Sequence, residues 1–272
     1  VFGSWLYAMW AGAVMAGLSM LATILYCVAD KYAETKVERT ITVGDNDFNL
    51  KVVKDFDVRF WIIAFLCMTY YSGVLPFVAI ASDFLHDEYD VSKSTAGWYS
   101  STIILAAMIL SPVLGKVIDV VGYRPYFVIL GSALIIPAHL LLYLPFTQWM
   151  PPLVPMIMIG LSFSIVPSTL WPSVPLLTKE AETSTAFGMM TAIQNGGLTV
   201  TNLISGQIID SFGNRQAMLF FVAMDVLGFL LGWLLIVVDK RKGAVLCRVN
   251  PIQSHQAEFV APINEEEERD YD

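Results

Sequence analysis

The chain has 272 residues, of which 56% are hydrophobic and 15% are charged, and its mean hydropathy is +0.62. Soluble domains carry about 25% charged residues, so this composition excludes an ordinary soluble protein and predicts a polytopic membrane protein. Much of the net charge of −8 comes from an acidic run at residues 265–272, and no basic patch interleaved with aromatics lies outside the apolar runs. Nucleic acid is therefore not expected as a partner.

Seven apolar runs follow one another, each long enough for a membrane-spanning helix of about 20 residues. They predict an all-α fold with seven transmembrane helices, at residues 5–29, 60–82, 95–114, 126–146, 153–177, 184–205 and 216–238. The chain begins with Val1, without the basic segment and cleavage site of a signal peptide. We interpret it as a C-terminal fragment, or a gene model that lacks its start.

Basic residues are distributed unevenly between the two sides of these helices. Of the 16 lysines and arginines, all but Lys93 and Arg215 fall in segments on one side. The positive-inside rule makes that side cytosolic. The sequence therefore predicts a polar cytosolic linker at residues 30–57, a six-helix domain at 58–239 and a disordered, cytosolic acidic tail at 240–272.

A repeated decamer divides the last six helices into two groups of three. Gly115-Lys-Val-Ile-Asp119-Val-Val-Gly122-Tyr-Arg124 recurs 91 positions later as Gly206-Gln-Ile-Ile-Asp210-Ser-Phe-Gly213-Asn-Arg215. The copies follow the second helix of each group and lie on opposite predicted sides of the membrane. This arrangement is typical of two inverted three-helix repeats. We expect the glycines to permit close helix packing and unusual backbone angles.

Glycine and proline interrupt the first helix of each repeat. Gly73 and Pro76 lie in one, and Pro155, Pro167, Pro172 and Pro175 lie in the other. Proline removes a helix hydrogen bond and clashes with the preceding turn, and paired interrupted helices are the best sequence indication of a transport site. Prolines are also common in membrane helices without such a role. We predict a gating function for Gly73, Pro76 and Pro172.

The decamer, the linker and the six-helix block together resemble the C-terminal half of a major facilitator superfamily transporter. The first helix, within residues 1–29, then corresponds to the last helix of an N-terminal bundle whose remainder is missing. Leu170-Trp171-Pro172 and Ile193-Gln194-Asn195-x-Gly197-Leu198 are similar to lysosomal dipeptide transporters within the superfamily. The resemblance implies alternating access, dipeptide export from lysosomes by uniport, and a glycosylated accessory membrane protein. The chain has no Asn-x-Ser/Thr sequon, so its luminal loops cannot carry N-glycans themselves.

In this superfamily the first, second, fourth and fifth helices of the six face the central cavity, and the third and sixth brace them. The candidate substrate contacts are Tyr70, Tyr71, Trp171, Gln194 and Asn195. The other polar or aromatic groups of the cavity helices are Thr69, Trp98, Tyr99, Ser100, Ser101, Thr102, Ser164, Ser168, Thr169, Thr191, Thr199 and Asn202. The alternatives are hydrogen bonds between helices for the amides and interfacial anchoring for Trp171. The cavity helices carry no Asp, Glu, Lys, Arg or His within the predicted spans. The charged ends of a dipeptide would therefore bind in the missing half.

Two further hypotheses concern charged residues. The resemblance implies that Gly115, Asp119, Gly122 and Arg124 hold one access state through charge and helix-dipole contacts. His139 and Asp225, inside the two brace helices, lie at matching predicted depths, and each needs a partner in hydrocarbon. They form either a buried pair, as a structural lock or a pH-sensitive strut, or separate contacts to backbone or hydroxyl groups.

Two other kinds of function remain open at this stage. The chain could belong to a carrier of another small organic solute, such as a sugar or an organic anion, or it could be a non-transporting membrane scaffold. No Ser-His-Asp arrangement, metal-ligand cluster or phosphate loop occurs in the sequence. We therefore expect no enzymatic activity, no metal and no cofactor. The expected partners are a small-molecule solute and the lipid bilayer.

Overall fold

The computed structural model describes residues 5–34, 50–144, 151–179 and 182–248, and all regular structure in these residues is helical. Seven α-helices follow in order: α1 (Trp5–Glu34), α2 (Val58–Tyr89), α3 (Lys93–Val121), α4 (Arg124–Tyr143), α5 (Leu153–Leu170), α6 (Thr183–Phe212) and α7 (Asn214–Arg241). Short 3-10 helices lie at Leu50–Asp55, Trp171–Ser173 and Val245–Cys247. The seven predicted helices are confirmed, although several extend beyond the predicted apolar runs.

The chain forms two compact units, residues 1–47 and residues 48–272. The first contains α1, an apolar helix with side chains exposed along most of its length. This helix continues to Glu34, five residues into the predicted linker. Residues 240–248 of the predicted tail contain the end of α7 and a 3-10 helix. Residues 35–49 of the linker and residues 249–272 of the tail lie outside the described residues.

Six of the seven helices are long and apolar enough to cross a membrane. The exception among the described helices is α6, whose 30 residues include threonines, serines, asparagines and glycines throughout. An isolated helix of that composition is a poor fit for lipid on all sides. The molecule is an all-α polytopic membrane protein in which α6 differs chemically from its neighbours.

Helix packing in the second unit follows the two predicted repeats, α2–α3–α4 and α5–α6–α7. The most extensive contacts join α3 with α5, α4 with α5, α2 with α7, α4 with α7 and α2 with α6. Exchanging the two triples converts α3–α5 into α6–α2 and α4–α5 into α7–α2, and leaves α4–α7 unchanged. Two interlocked copies of one three-helix unit give this pattern of contacts.

Helix α2 lies at the centre of the bundle and is more buried than the other apolar spans, whereas α3 is the least buried of those in the bundle. The interruption predicted for α2 is absent, because the helix is continuous through Gly73 and Pro76. Both residues are buried, and neighbouring helices stabilise a proline-containing turn in a packed membrane helix. The second predicted interruption is present, since α5 ends at Leu170 and the backbone tightens into a 3-10 turn that contains Pro172.

The two decamers have the same local geometry. In each, the second glycine ends the preceding helix with a positive φ, 72° at Gly122 and 91° at Gly213. The amide of each glycine donates to the carbonyl four residues earlier at 2.9 Å, to Ile118 and Ile209 respectively. The expectation of unusual backbone angles is therefore confirmed at these positions.

The first glycine of each decamer does not have the packing role expected for it. Gly115 lies within α3 and Gly206 lies within α6, and a Cβ added at either position would meet no atom within 4 Å in the described structure. Among the described residues, close helix packing at these two glycines is therefore not found.

Candidate functional site

An aromatic cluster forms where α5 ends. The indole Nε1 of Trp171 donates a hydrogen bond to the hydroxyl of Tyr71 on α2 at 3.0 Å. The Trp171 ring also stacks on Phe187 of α6, with centroids 6.0 Å apart, and Tyr71 makes an edge contact with Phe163 of α5. All four side chains are half-buried. The 3-10 turn at the end of α5 thus joins three of the helices predicted to line a cavity.

Tyr70 has a different position from its neighbour Tyr71. It is fully buried, and its hydroxyl lies 2.9 Å from Oγ of Ser162 on α5. Ser162 in turn donates to the carbonyl of Gly131 on α4 at 2.9 Å. Tyr70 therefore connects α2, α5 and α4 inside the bundle and has no surface available for a solute in this conformation.

A polar stripe runs along one face of α6. Its members are exposed, small or polar, and spaced three or four residues apart: Ser184, Gly188, Thr191, Asn195, Thr199 and Asn202. At 100° per residue these positions fall within about 40° of Asn195 on the helix. Thr191, Asn195 and Thr199 each donate to the carbonyl four residues earlier, at 2.8 to 3.0 Å, and their oxygens remain available as acceptors. We call this face the α6 stripe.

The neighbouring exposed face of α6 is apolar except for Gln207 near the end of the helix. Val200 and Leu203 are 56% and 68% exposed, and five residues of helix place Val200 about 140° from Asn195. The exposed surface of α6 is therefore divided into one sector suited to lipid and one sector suited to water or a polar solute.

Gln194 and Asn195 lie on opposite sides of this division. Gln194 is buried within the bundle, whereas Asn195 is exposed in the α6 stripe. Adjacent residues on a helix point about 100° apart, which is why one amide faces the core and the other faces outward. Asn195 is therefore the accessible member of the predicted pair.

The two decamers pair their arginines with different acids. In the first, Arg124 Nη2 lies 2.6 Å from Asp119 Oδ1, with Arg124 buried and Asp119 41% exposed. In the second, Arg215 bonds to Glu88 at the end of α2, at 2.7 Å, and the equivalent acid Asp210 is exposed. The same motif spacing thus gives an ion pair within the decamer, between α3 and α4, in one repeat and an ion pair with α2 in the other.

The structure brings His139 and Asp225 together. Nδ1 of His139 on α4 lies 2.6 Å from Oδ2 of Asp225 on α7, and both side chains are 0% exposed. The pair lies at the contact between the two brace helices. The possibility of separate backbone or hydroxyl partners for these two groups is not realised here.

A charged cluster at the ends of α2 and α7 was not predicted from the sequence. Arg59 binds Asp57 at 2.9 Å and Asp239 at 3.0 Å, and Lys242 binds Asp57 at 3.0 Å. Asp239 also accepts from the backbone amide of Leu246. This end cluster fixes the start of α2, the end of α7 and the 3-10 helix that follows it.

Partial burial raises the pKa of Asp57, but hydrogen bonds from Arg59 and Lys242 outweigh that effect and lower the pKa to about 2. Asp57 also caps α2, where its side chain accepts from the Arg59 amide at 2.8 Å. An aspartate directly before an apolar run is the sequence pattern that indicates this helix cap. The distant partner of Asp57, Lys242, directly follows α7 and lies 185 residues away, and no local pattern identifies it.

Comparison with known proteins identifies the family. The Major Facilitator Superfamily model matches residues 1–171 and residues 60–246. The lysosomal dipeptide transporter MFSD1 of Homo sapiens is 31% identical over 237 residues, which is 86% of this chain and 50% of that protein. MFSD1 of Danio rerio is 30% identical over 82% of this chain and 48% of its own length. The chain thus spans about half the length of the curated relatives it matches.

A solved structure shares the fold. The crystal structure of the peptide transporter POT in complex with alafosfalin superposes with a TM-score of 0.56 and 16% identity, over 74% of this chain and 43% of that one. The relatives are transporters and not enzymes. With its six apolar spans, its paired three-helix repeats and matches over most of its length, the chain belongs to the major facilitator superfamily of membrane transporters.

Proposed function

We propose that this chain forms the C-terminal bundle of an alternating-access transporter that exports dipeptides from lysosomes, with α1 as the last helix of the N-terminal bundle. The observation that carries the proposal is the α6 stripe, a row of exposed polar groups on a helix within a membrane bundle. Polar groups at that depth are tolerated where they line water or meet a partner. The stripe then forms one wall of the solute passage.

The chemistry of the stripe suits a peptide backbone. Asn195 presents an amide oxygen, and Thr191 and Thr199 present hydroxyl oxygens, on one exposed face. These groups accept hydrogen bonds from the amide N–H of a short peptide, and a rotated Asn195 side chain can also donate to its carbonyl. The names of the MFSD1 relatives support dipeptides over a sugar or an organic anion as the substrate.

The charged ends of a dipeptide have no counter-charge on this bundle's passage side. Helix α5 carries no ionisable side chain, and the acids and bases of α2 and α3 lie near their ends, outside the predicted apolar spans. Loss of hydration without a counter-charge costs several kcal/mol for each charged group. We therefore assign recognition of the ammonium and carboxylate to the N-terminal bundle, and recognition of the backbone and side chains to this one.

The aromatic cluster is proposed as a gate beside the stripe. Trp171 follows the end of α5, and Phe187, on which it stacks, lies one turn before Thr191 on α6. Breaking the Trp171–Tyr71 hydrogen bond frees the indole to move with the 3-10 turn. In the orientation expected from the basic residues, this gate lies on the cytosolic side of the stripe.

Transport by the full-length gene product in reconstituted vesicles tests the proposal. The vesicles are supplied with labelled dipeptides, sugars or free amino acids, and we expect them to transport the dipeptides alone. Asn195→Ala reduces dipeptide transport about tenfold, the loss expected for one hydrogen bond of roughly 1.4 kcal/mol. Val200→Ala, on the apolar sector of the same helix, leaves transport unchanged. Equal effects of the two substitutions, or transport of sugars only, contradict the proposal.

A further inference from the structure

The contact between His139 and Asp225 leaves one acid–base atom on each residue without a partner. The Nδ1–Oδ2 hydrogen bond of 2.6 Å occupies one atom of each side chain. Among the described residues, Nε2 of His139 and Oδ1 of Asp225 are both buried and make no hydrogen bond. Either atom can accept one further proton. The pair therefore has a free proton site inside the bundle.

Apolar groups surround this pair. The ring of Phe77 on α2 lies 5.1 Å from the imidazole centroid, and the ring of Phe221 on α7 lies 5.7 Å from it. Gly73 of α2 faces the carboxylate so closely that an added Cβ would collide with Asp225 Oδ1. The absence of a side chain at Gly73 allows α2 to cover the pair and to exclude water from it.

Two tyrosines on the packed elements lie close to the pair along a helix or in space. On α4, Tyr143 is one turn beyond His139. From α2, Tyr70 lies within electrostatic reach of Asp225, and α5 has no ionisable side chain. On α7, Asp239 is 14 residues beyond Asp225, about 21 Å along the helix. There Asp239 is bound to Arg59, and the 3-10 helix that contains Cys247 lies at the same end of α7.

The charges on the remaining packed elements lie at helix ends. Arg124 of α4 is paired with Asp119 at the start of that helix, and Asp210 of α6 is exposed near the end of its own. Among the described groups, His139 is therefore the partner that determines the charge of Asp225.

The repeat itself does not require an ionisable pair at this contact. The 91-residue offset relates His139 to Leu230 and Asp225 to Leu134. Leucines thus occupy the equivalent positions on the same two helices, where Leu134 is half-buried and Leu230 is 58% exposed. The buried ionisable pair therefore occurs in one repeat only, and such a pair is often no more stabilising than an apolar pair of similar volume.

Proton counting gives the pair two charge states. With one proton, in the hydrogen bond, it carries a net charge of −1 in an apolar environment, which is unfavourable. A second proton, on Nε2 or Oδ1, makes the pair neutral overall. We propose that His139 and Asp225 form an internal proton-binding site that takes up this second proton and, in the neutral state, stabilises the packing of α4, α7 and α2.

The sign of the pH dependence follows from these states. The neutral state holds one more proton than the charged state, so acid favours it. The stabilising contribution is therefore present in acid and is lost as the pH rises and the second proton leaves the pair. The bracing of α4 against α7 weakens in alkaline solution.

Thermal unfolding of the full-length gene product in detergent tests this site. Between about pH 5 and about pH 8, we expect the apparent melting temperature of the wild type to fall by at least about 3 °C more than that of Asp225→Asn. Asparagine keeps an acceptor for His139 but removes the carboxylate charge. The double variant His139→Leu/Asp225→Leu places leucine at both positions, as in the other repeat. Its melting temperature is expected to show the same weak pH dependence as that of Asp225→Asn, and it replaces the single variant in this test if the single variant does not fold.

Infrared difference spectra between acid and alkaline pH provide a second readout, independent of stability. The wild type shows a protonation signal from the Asp225 carboxyl or the His139 imidazole that both variants lack. If the wild type, Asp225→Asn and the double-leucine variant share one melting profile, or if their infrared differences are identical, the pair binds no additional proton and the proposal is wrong.

Discussion

Trp171 is the side chain that most directly joins the cavity helices, since it bonds to Tyr71 on α2 and stacks on Phe187 of α6. Trp171→Phe retains an aromatic ring for stacking and removes the donor, and Tyr71→Phe removes the acceptor. Each substitution is expected to lower the free energy of unfolding by about 1 kcal/mol. The double variant should lose no more than either single variant, because both remove the same bond.

A double-mutant cycle in denaturant measures this coupling. The matched control is Tyr71→Phe combined with Tyr126→Phe, since Tyr126 at the start of α4 has ring contacts with Tyr123 and Lys240. Additive losses for Trp171→Phe and Tyr71→Phe would show that the hydrogen bond does not contribute to the folded state.

Asp57 determines the acid resistance of the end cluster. Asp57→Asn removes its ion pairs with Arg59 and Lys242 but keeps an acceptor for the cap of α2, at a cost of about 1 kcal/mol after allowance for partial exposure. Because the pKa of Asp57 is lowered to about 2, its contribution is complete above the ordinary range near 4 and is lost only as the pH falls through about 2.

Melting curves of Asp57→Asn and wild type should therefore differ by a constant amount from pH 8 down to about pH 4. Asp55→Asn, an exposed neighbour in the preceding 3-10 helix, provides the control and should match the wild type. A difference that disappears near pH 6 would mean that Asp57 is not held by these hydrogen bonds.

At the scale of helix elements, the end of α3 tests the role of the decamer glycines. Gly122 has φ 72° and ψ −139°, a conformation that costs a residue with a Cβ about 1 to 3 kcal/mol. Gly115 is helical and faces open space, where alanine is favoured by about 0.5 to 1 kcal/mol. Gly122→Ala should lower the melting temperature and Gly115→Ala should raise it slightly. Equal effects would contradict the assigned helix end.

The ion pair of the first decamer is expected to control the balance between access states. Asp119→Asn leaves the buried Arg124 without its acidic partner, so the state that contains this pair is destabilised. The ratio of efflux to influx should change while the apparent substrate affinity is retained. Asp210→Asn is the matched control, since Arg215 is already paired with Glu88. An unchanged direction bias in Asp119→Asn would contradict this role.

Sequence patterns predicted the helices and the repeat because both depend on local periodicity and on a motif with fixed spacing. The same patterns failed at Gly73 and Pro76, which are potential helix breakers in isolation but lie within the continuous and buried α2. The bundle packed around α2 overrides the local preference. The observed helix boundaries also differ from the predicted ones, because an apolar run reflects the thickness of the hydrocarbon layer and the helices extend beyond that layer.

Within the candidate site, the residue types could be predicted but their directions could not. Tyr70 and Tyr71 are adjacent in sequence, yet one bonds to Ser162 in the core and the other to Trp171. Which of the two faces inward depends on the rotation of α2 against α5. Helix rotation is a property of the whole packing, as is the pairing of Arg59 with Asp239 across 180 positions.

At the scale of the whole molecule, the two exposed sectors of α6 imply two different surroundings. The α6 stripe requires water or a polar partner, whereas the sector containing Val200 and Leu203 suits lipid. Under the proposed function, α6 lies at the boundary between the solute passage and the bilayer, and a second bundle faces the α6 stripe.

Cysteine accessibility measures whether the α6 stripe faces water and the apolar sector faces lipid. Single cysteines replace Thr191, Asn195 or Thr199 in the stripe and Val200 or Leu203 on the apolar sector, in a full-length protein whose Cys27, Cys67 and Cys247 are changed to serine. A membrane-impermeant thiol reagent should label the three stripe positions, with protection by dipeptide, and should leave the two apolar positions unlabelled. Labelling of Val200 and Leu203 with an inaccessible stripe would contradict the proposed passage.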